Sequence, residues 1–598
     1  MNIDLSSINN SQSSIVNHKP SPLKLIMKKN ILTLIVILLT YIGVSQPLYL
    51  PLNQEYNRTL QKQLYSPNTH FHTSIRPYYI PDIELAGINY DSIQQLLRIE
   101  KKLSPKWKQK TWNKLMNDDV ATFIRKDYEI IANPLMNFNV GTSISPSRGG
   151  AAGGGGSSGG GAAGGGGSSG RGQGEASSEM DRKTTWTNTR GFELKGRIGK
   201  NVGFYTNFYE NQALYPEYID SFIRTNRVIP GQGMVHTNLE NGGFDFSSST
   251  GYLSISANKY FSFQFGHGKN FYGDGYRSLL LSDNSFNNLF LKASVNFWHI
   301  KYEVLYNQYI DINESQSYEL GYSRKYTTTH YLSWAVSKRV NISFFDAIIW
   351  SASDSAGNYR GFDFQYLNPI IFMRPVEFSI GSPDNAMMGL NASVIVGTGN
   401  IFYGQLILDE FKFDEVSAGN GWWANKQGFQ LGFKTYDPFK IKNLYFQTEF
   451  NWVRPYLYSQ REPIKNYGHY NQPIAHPYGA NFWESVNFIK YNYKRFFLNY
   501  QFIYSIYGED PPGMNYGKNI YLSYNTRVSD YDNYVGQGIK TRLLYNKIDI
   551  SYLINPAYNL NFSIGYVNRN LSTDTDTHTT NYFYLGLKTS LGNHYYDF

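Results

Sequence analysis

The sequence predicts an all-β fold: a transmembrane antiparallel β-barrel of the outer-membrane type with about 18 strands, preceded by a small amino-terminal helical segment. Three observations predict it. Apolar and polar residues alternate with period two from residue 133 to residue 598. The 598-residue chain holds 51 Tyr and 38 Phe but only 17% charged residues, a composition suited to pleated surfaces with a large apolar face. An export signal opens the chain, and an amphipathic strand running to Phe598 closes it.

A mean hydropathy of −0.43 excludes a polytopic helical membrane protein, which needs several runs of roughly 18 or more apolar residues. It leaves a barrel open, because only alternate barrel residues face lipid. A soluble β-sandwich gives the same alternation. The length of the patterned run, its Tyr, Phe and Trp flanks and the export signal favour the membrane. Lipid also dictates closure, since each unpaired backbone group in hydrocarbon costs several kcal/mol. Roughly 25 residues per strand with its share of turn gives about 18 strands, with about 16 or about 20 as the neighbours.

Taken in order, residues 1–26 are polar and unpatterned, an upstream extension that makes Met27 the expected start. Met27-Lys28-Lys29-Asn30 is a basic n-region, residues 31–42 are apolar apart from Thr33 and Thr40, and Gly43-Val44-Ser45 supplies small residues. This predicts a signal peptide over 27–45 cleaved after Ser45; the rival, an anchoring helix, has too short a core. With no cysteine there is no disulfide, thiolate site or Cys-linked lipid. Residues 46–132 form the expected periplasmic segment. Its first part, to residue 80, is Tyr/Pro/Asn-rich and expected to be extended, and two short helices follow. Ile93, Leu96 and Leu97 mark the first over 91–101; Ser104 and Pro105 start the second, with Trp107, Thr111 and Leu115 on one stripe. Lys106, Lys108, Lys110 and Lys114 read as a solvated face, with anionic headgroups as the alternative.

The barrel is expected over 133–598. Within it, residues 149–170 repeat Ala-Ala-Gly-Gly-Gly-Gly-Ser-Ser from Ala151 and from Ala162, so 149–180 is a flexible loop with no chemistry. Leu253, Ile255, Phe261, Phe263 and Phe265 alternate with Ser254, Ser262 and Gln264, and Phe562 and Ile564 with Asn561 and Ser563. In the closing strand Phe583, Leu585 and Leu587 alternate with Tyr584, Gly586 and Lys588. The ending resembles the signal read by barrel-insertion machinery. A net charge of +9 without a compact Arg/Lys patch argues against nucleic acid.

Several segments carry a resemblance. Asn133-Pro134-Leu135-Met136-Asn137-Phe138, Asn188-Thr189-Arg190-Gly191-Phe192-Glu193 and Phe271-Tyr272-Gly273-Asp274-Gly275 are among them. Asn368-Pro369-Ile370-Ile371-Phe372 with Arg374-Pro375-Val376-Glu377-Phe378, Tyr403-Gly404-Gln405 with Leu408-Asp409, and Asn466-Tyr467-Gly468-His469-Tyr470 continue the series. In this order they resemble the Wzi-type capsule-assembly barrels over residues 80–598, the closest variant being the RemB-type gliding-motility proteins. The resemblance implies an outer-membrane barrel with a helical periplasmic plug, acting in attachment of capsular or surface polysaccharide and, in the gliding branch, in cell movement. The Gly-rich insert departs from the pattern.

Chemistry-bearing motifs point away from catalysis. Beyond the Gly/Ser tract there is no Gly-x-Ser-x-Gly, and there is no His-Glu-x-x-His; Gly266-His267-Gly268 lies on a strand without the third glycine of a dinucleotide fingerprint. No enzyme activity, cofactor or metal is expected. Asp409 and Glu410, as adjacent strand residues, should face opposite ways. Polysaccharide contacts are expected from planar polar groups beside aromatic faces. Tyr272, Asp274, Arg277, Asp283 and Asn284 form one such cluster, for which a plain structural turn is the alternative. Arg454, Tyr456, Tyr467, His469, Tyr470, His476, Asn481 and Glu484 stand in a long loop over 454–484, Trp422 and Trp423 at a Gly-flanked tip. Arg374, Glu377 and Asp409 join these through the resembling segments, with Tyr403 and Gln405 expected to face the lumen. The expected function is non-enzymatic binding or anchoring of surface polysaccharide, in contact with outer-membrane lipid and, in gliding cells, with motility proteins. The alternatives are a porin-like channel and a structural subunit of a motility or secretion complex.

Overall fold

A computed structural model describes residues 47–52, 58–66, 70–88, 106–146, 180–317, 321–353, 358–381 and 384–598. The expected signal peptide, the helix over 91–101, Ser104, Pro105 and the Gly/Ser tract lie outside these residues.

Eighteen antiparallel strands close into one barrel. They are β1 (Tyr128–Pro146), β2 (Met180–Ile198), β3 (Val202–Leu214), β4 (Phe244–Ser256), β5 (Phe261–Gly268) and β6 (Asn288–Phe297). Next come β7 (Ile300–Ser317), β8 (Gly321–Ser337), β9 (Val340–Ser351), β10 (Asn385–Val396), β11 (Asn400–Leu408) and β12 (Gln427–Tyr436). The last six are β13 (Leu444–Val453), β14 (Phe482–Tyr493), β15 (Phe496–Glu509), β16 (Ile539–Asn555), β17 (Leu560–Ser572) and β18 (Thr577–Lys588). Each pairs with its sequence neighbours, and β18 closes on β1 in a register running from Asn581 opposite Ile144 to Lys588 opposite Asn137. The first strand starts at Tyr128, ahead of the expected residue 133.

The period-two text is the reason for this wall. Leu253, Ile255, Phe261, Phe263, Phe265, Phe562 and Ile564 are exposed on the outside, while Ser254, Ser262, Gln264, Asn561 and Ser563 are buried within. One end of the barrel has short turns, and exposed Tyr260, Phe297, Trp298, Tyr493 and Phe496 form a belt there. The other end has long loops, over residues 215–243, 269–287, 352–384, 409–426, 454–481 and 510–538. No described helix is long and apolar enough to cross a membrane.

Among the described residues three segments fill the lumen. Residues 47–52, 58–66 and 70–88 enter from the short-turn end. Part of this stretch was expected to be extended, yet it holds α1 (Arg58–Leu64), because Leu60 and Leu64 fall one turn apart and are both buried. Lys62 pairs with Asp437 of the β12–β13 turn. In α2 (Ile80–Leu85), Asp82 accepts hydrogen bonds from Lys301 (2.7 Å) and Asn296 (3.0 Å) of the wall. Residues Ile75–Arg76 pair with Phe271–Tyr272 from the β5–β6 loop, which dips from the opposite end. The closing strand, expected to run to Phe598, ends at Lys588, and residues 589–598 fold back inside as the third segment because their polar groups find partners there: Tyr595 donates to Asp283 (2.7 Å) and Tyr276 to Asp597 (2.7 Å).

α3 (Lys106–Met116) rests on the short-turn rim, where Arg495 donates to the Met116 carbonyl and Asn555 to those of Lys114 and Leu115. Its expected stripe is not a buried face, since Trp107 and Leu115 are exposed. The long loops of the strand-patterned region hold α4 (Glu217–Asn226), α5 (Arg374–Ile380) and α6 (Phe413–Ala418). In α4, Ile219 and Ile223 make the buried face.

The β9–β10 loop departs from the usual outward course and lies against the outer wall. His330 and Asp346 are paired at the same parity as the outward-facing Trp334, positions where lipid would otherwise meet them. They lie 3.6 Å apart, and the loop covers them. Asp346 accepts from the backbone N–H groups of Phe372 (3.2 Å) and Met373 (2.9 Å). Tyr302 donates to the Pro369 carbonyl (2.7 Å) and Thr328 to that of Tyr366 (2.9 Å), while Tyr366 packs on Trp350. Exposed Phe364, Ile370 and Phe378 restore an apolar exterior above this polar strip.

Candidate functional site

The residues expected to bind sugar divide into two groups. The larger group is buried in the lumen as the latch that holds the plug. Arg277 donates to Glu484 (Nη2–Oε1 3.1 Å) on β14 and to Asp597 (Nη1–Oδ1 3.1 Å) in the carboxy-terminal segment. The backbone N–H groups of Tyr276 and Arg277 donate to Glu449 on β13 (2.8 and 3.1 Å). Burial works against the Arg277 charge, but Asp597 and Glu484 outweigh it and hold the guanidinium protonated. His476 Nε2 is 2.7 Å from the same Glu484, and burial pushes its pKa down.

Asp274 accepts from Tyr65 (2.7 Å), Thr73 (2.6 Å) and Asn391 (3.0 Å), which ties the amino-terminal segment to the wall. Tyr272 stacks on Tyr331 at 4.4 Å, Asp283 accepts from Tyr595 and Asn593, and Asn284 donates to the Pro473 carbonyl. The turn reading of 273–275 therefore describes this cluster: its polar groups are spent inside the chain.

The 454–481 loop is folded into the barrel mouth. Tyr467 donates to the Leu280 carbonyl, Tyr456 to that of Asn515, and Asn481 to those of Gly508 and Gln537. His469 accepts from the Ile310 N–H at Nδ1 (2.9 Å) and faces the Asn287 carbonyl at Nε2 (3.2 Å), an arrangement for the neutral ring, and burial lowers its pKa to about 3. Tyr470 is half-buried against Phe286. Glu484, expected in the loop, belongs to the inner face of β14.

The second group meets at the long-loop rim, around a cavity of about 170 Å³. The β9–β10 loop brings Arg374, Glu377 and Asp384, the β11–β12 loop Asp409 and Glu410, the β13–β14 loop Arg461 and Glu462, and the β15–β16 loop Tyr524. Because β11 ends at Leu408, Asp409 and Glu410 both line the cavity, contrary to the expectation that they face opposite ways; both face Lys426, at 3.5 and 3.4 Å. The Asp409 side chain is buried, and its Oδ2, the atom facing Lys426, makes no hydrogen bond. Burial raises its pKa to about 6, against the pull of Lys426 and with the help of Glu410. Burial also raises Glu377, which Arg374 approaches at 2.9 Å.

Aromatic rings adjoin this cavity. Trp423 packs on Tyr524 (4.7 Å), Arg527 covers Trp423 (4.2 Å), Lys426 covers Tyr524 (4.4 Å) and Lys412 stands over Trp422 (5.7 Å). Arg454 donates to the Trp422 carbonyl (3.1 Å), fixing the tip. Sequence reasoning missed Tyr524, Asp384, Arg461 and Glu462, which come from separate loops with no local spacing to join them. Tyr403 and Gln405 face the lumen as expected, bonded to Glu449 and to the Tyr272 carbonyl. Among the described residues no group of three or more His, Asp or Glu is placed to hold a metal ion.

No family model matches this chain, and no curated protein matches it. Among solved structures it is similar to the Escherichia coli outer-membrane protein Wzi, described as a carbohydrate-binding β-barrel involved in group 1 capsule assembly. The identity is 10% and the TM-score 0.48, over 90% of this chain and 98% of that one. It is also similar to Pseudomonas aeruginosa OprD, at 11% identity and TM-score 0.39 over 80% of this chain and 99% of that one. Acinetobacter baumannii OccAB2 matches at 9% identity and TM-score 0.37, over 77% of this chain and 98% of that one.

Proposed function

We propose that this protein is a non-enzymatic outer-membrane barrel whose long-loop end faces the exterior and binds surface polysaccharide at the rim cavity. In gliding cells the same attachment supplies adhesion during movement. One observation carries the reading: the buried Asp409 side chain, whose Oδ2 makes no hydrogen bond and stands 3.5 Å from Lys426, lines a cavity that Tyr524 also lines, with Trp423 packed on Tyr524. Saccharides need this combination, because their hydroxyls donate directional hydrogen bonds and their C–H faces lie on aromatic rings. Arg374 and Arg461 add donors for ring and hydroxyl oxygens. The filled lumen supports a binder over a porin-like channel. Residues 27–45 serve as the export signal in this reading, and the closing strand is what the insertion machinery takes up.

A glycan array probed with the purified barrel tests it. Binding should be lost in Asp409→Ala and Tyr524→Ala variants and kept in Tyr470→Ala. Equal binding by all four proteins, or binding by none, overturns the rim assignment.

A further inference from the structure

The rim cavity meets the lipid-facing side of the wall. Of the two β10 residues that line it, Ala386 has the outward parity of Met388 and Leu390, both exposed on the outer face. Met388 lies only about 7 Å along the strand from Ala386. β11 continues the apolar surface, with exposed Leu406 opposite Leu390.

α5 joins the same two environments. From Met373, held to Asp346 midway along β9, the chain runs through α5 to Asp384 beside the start of β10 at the rim. Arg374 and the buried Glu377 line the cavity, while the next residue, Phe378, is 88% exposed. Phe372, packed on the outward Phe344 at 6.4 Å, is exposed at the foot of the helix. One seven-residue helix thus offers polar groups to the cavity and an apolar ring to its surroundings.

Charge narrows the ligand. The lining holds five carboxylates against two guanidiniums. Lys426 and Lys465 pair with four of those carboxylates and still leave no surplus of positive charge. Such a lining accepts hydrogen bonds from hydroxyl groups and repels a phosphate.

We propose that the rim cavity holds the sugar head of an uncharged glycolipid whose acyl chains lie against Phe378, Phe372 and the Met388–Leu390 face. On the polysaccharide reading of this cavity, on which the proposal rests, the bound glycan is one that carries its own lipid anchor. Anchoring in the same leaflet raises the concentration of the head at the rim, with no further contact required.

The test is photo-crosslinking of the full-length refolded barrel in phosphatidylcholine nanodiscs. The probe is digalactosyl diacylglycerol with a diazirine on one acyl chain, and the control is phosphatidylcholine with the same chain. The galactolipid should label residues 372–378 and 386–390 about tenfold more than Phe562, Ile564 and Phe583 on another part of the wall, and the control should label both alike. Excess free digalactosylglycerol should abolish the enrichment, as should Ala386→Trp at the junction of cavity and lipid. An unchanged control pattern in that variant separates a lost site from a lost fold. Even labelling by the galactolipid, enrichment that survives the free galactoside, or enrichment shared by phosphatidylcholine overturns the glycolipid. The glycan array reads the rim without a lipid anchor, so an array signal that depends on Asp409 keeps the rim reading even then.

Discussion

Replacing Arg277 with methionine removes the cation that joins wall, loop and carboxy-terminal segment while keeping most of the side-chain volume. In the native barrel the guanidinium faces Glu484 and Asp597, each at 3.1 Å, with side-chain exposures of 1%, 0% and 4%. Deleting one partner of a buried pair costs about 3–5 kcal/mol, because the remaining charge stays desolvated. Here two carboxylates are stranded, which argues for the upper end. His476 argues for the lower end: Arg277 helps hold its pKa down, so without Arg277 the imidazole can take a proton beside Glu484. The net expectation is a loss of about 3 kcal/mol near neutral pH, roughly a hundredfold in the unfolding equilibrium. The sign of the pH dependence follows. In R277M the folded His476 pKa rises toward or above its unfolded value, so the variant's deficit should be smallest at acidic pH and grow as pH rises. Urea unfolding in lipid vesicles, followed by tryptophan fluorescence, reads both effects. The triple variant R277M/E484Q/D597N should recover most of the loss. An unchanged urea midpoint in R277M, or a triple variant no more stable than R277M, would refute the latch.

Three further outcomes are expected. Asp409 faces Lys426 and Glu410 and has its pKa raised to about 6, so it is ionised above that pH; rim binding should weaken as pH falls through about 6, and Asp409→Asn should flatten the profile. Titration of glycan affinity between acidic and neutral pH checks this. Replacing residues 363–378 with a Gly/Ser linker bares His330 and Asp346 to lipid, where an acidic residue costs about 2.5 kcal/mol or more near the midplane. The yield of heat-modifiable folded barrel should drop, and adding H330L/D346L should restore it. Deleting residues 593–598 removes Tyr595 and Asp597 from Asp283 and Arg277, so planar-bilayer recordings should show conductance steps absent from the full-length protein.

The wall was legible because alternation is a local consequence of strand geometry: Phe261, Phe263 and Phe265 face lipid wherever the strand lies in the barrel. The filled lumen was not. A barrel interior is polar, so residues that plug it, such as Asp274, His469 and Asn481, have the same composition as residues of an exposed binding loop. Hydropathy separates lipid from everything else and does not separate lumen from solvent. The folded-back β9–β10 loop was hidden for a related reason: His330 and Asp346 occupy outward positions, and only their tertiary cover explains them. The rim cavity draws Glu377, Asp409, Arg461 and Tyr524 from four separate loops, and no local spacing reports that convergence.

A barrel filled by its own segments should pass little through its middle. Planar-bilayer recording of the full-length refolded protein tests it most directly. A quiet baseline with brief, small events at most is expected; long-lived open steps of porin size would show an open lumen.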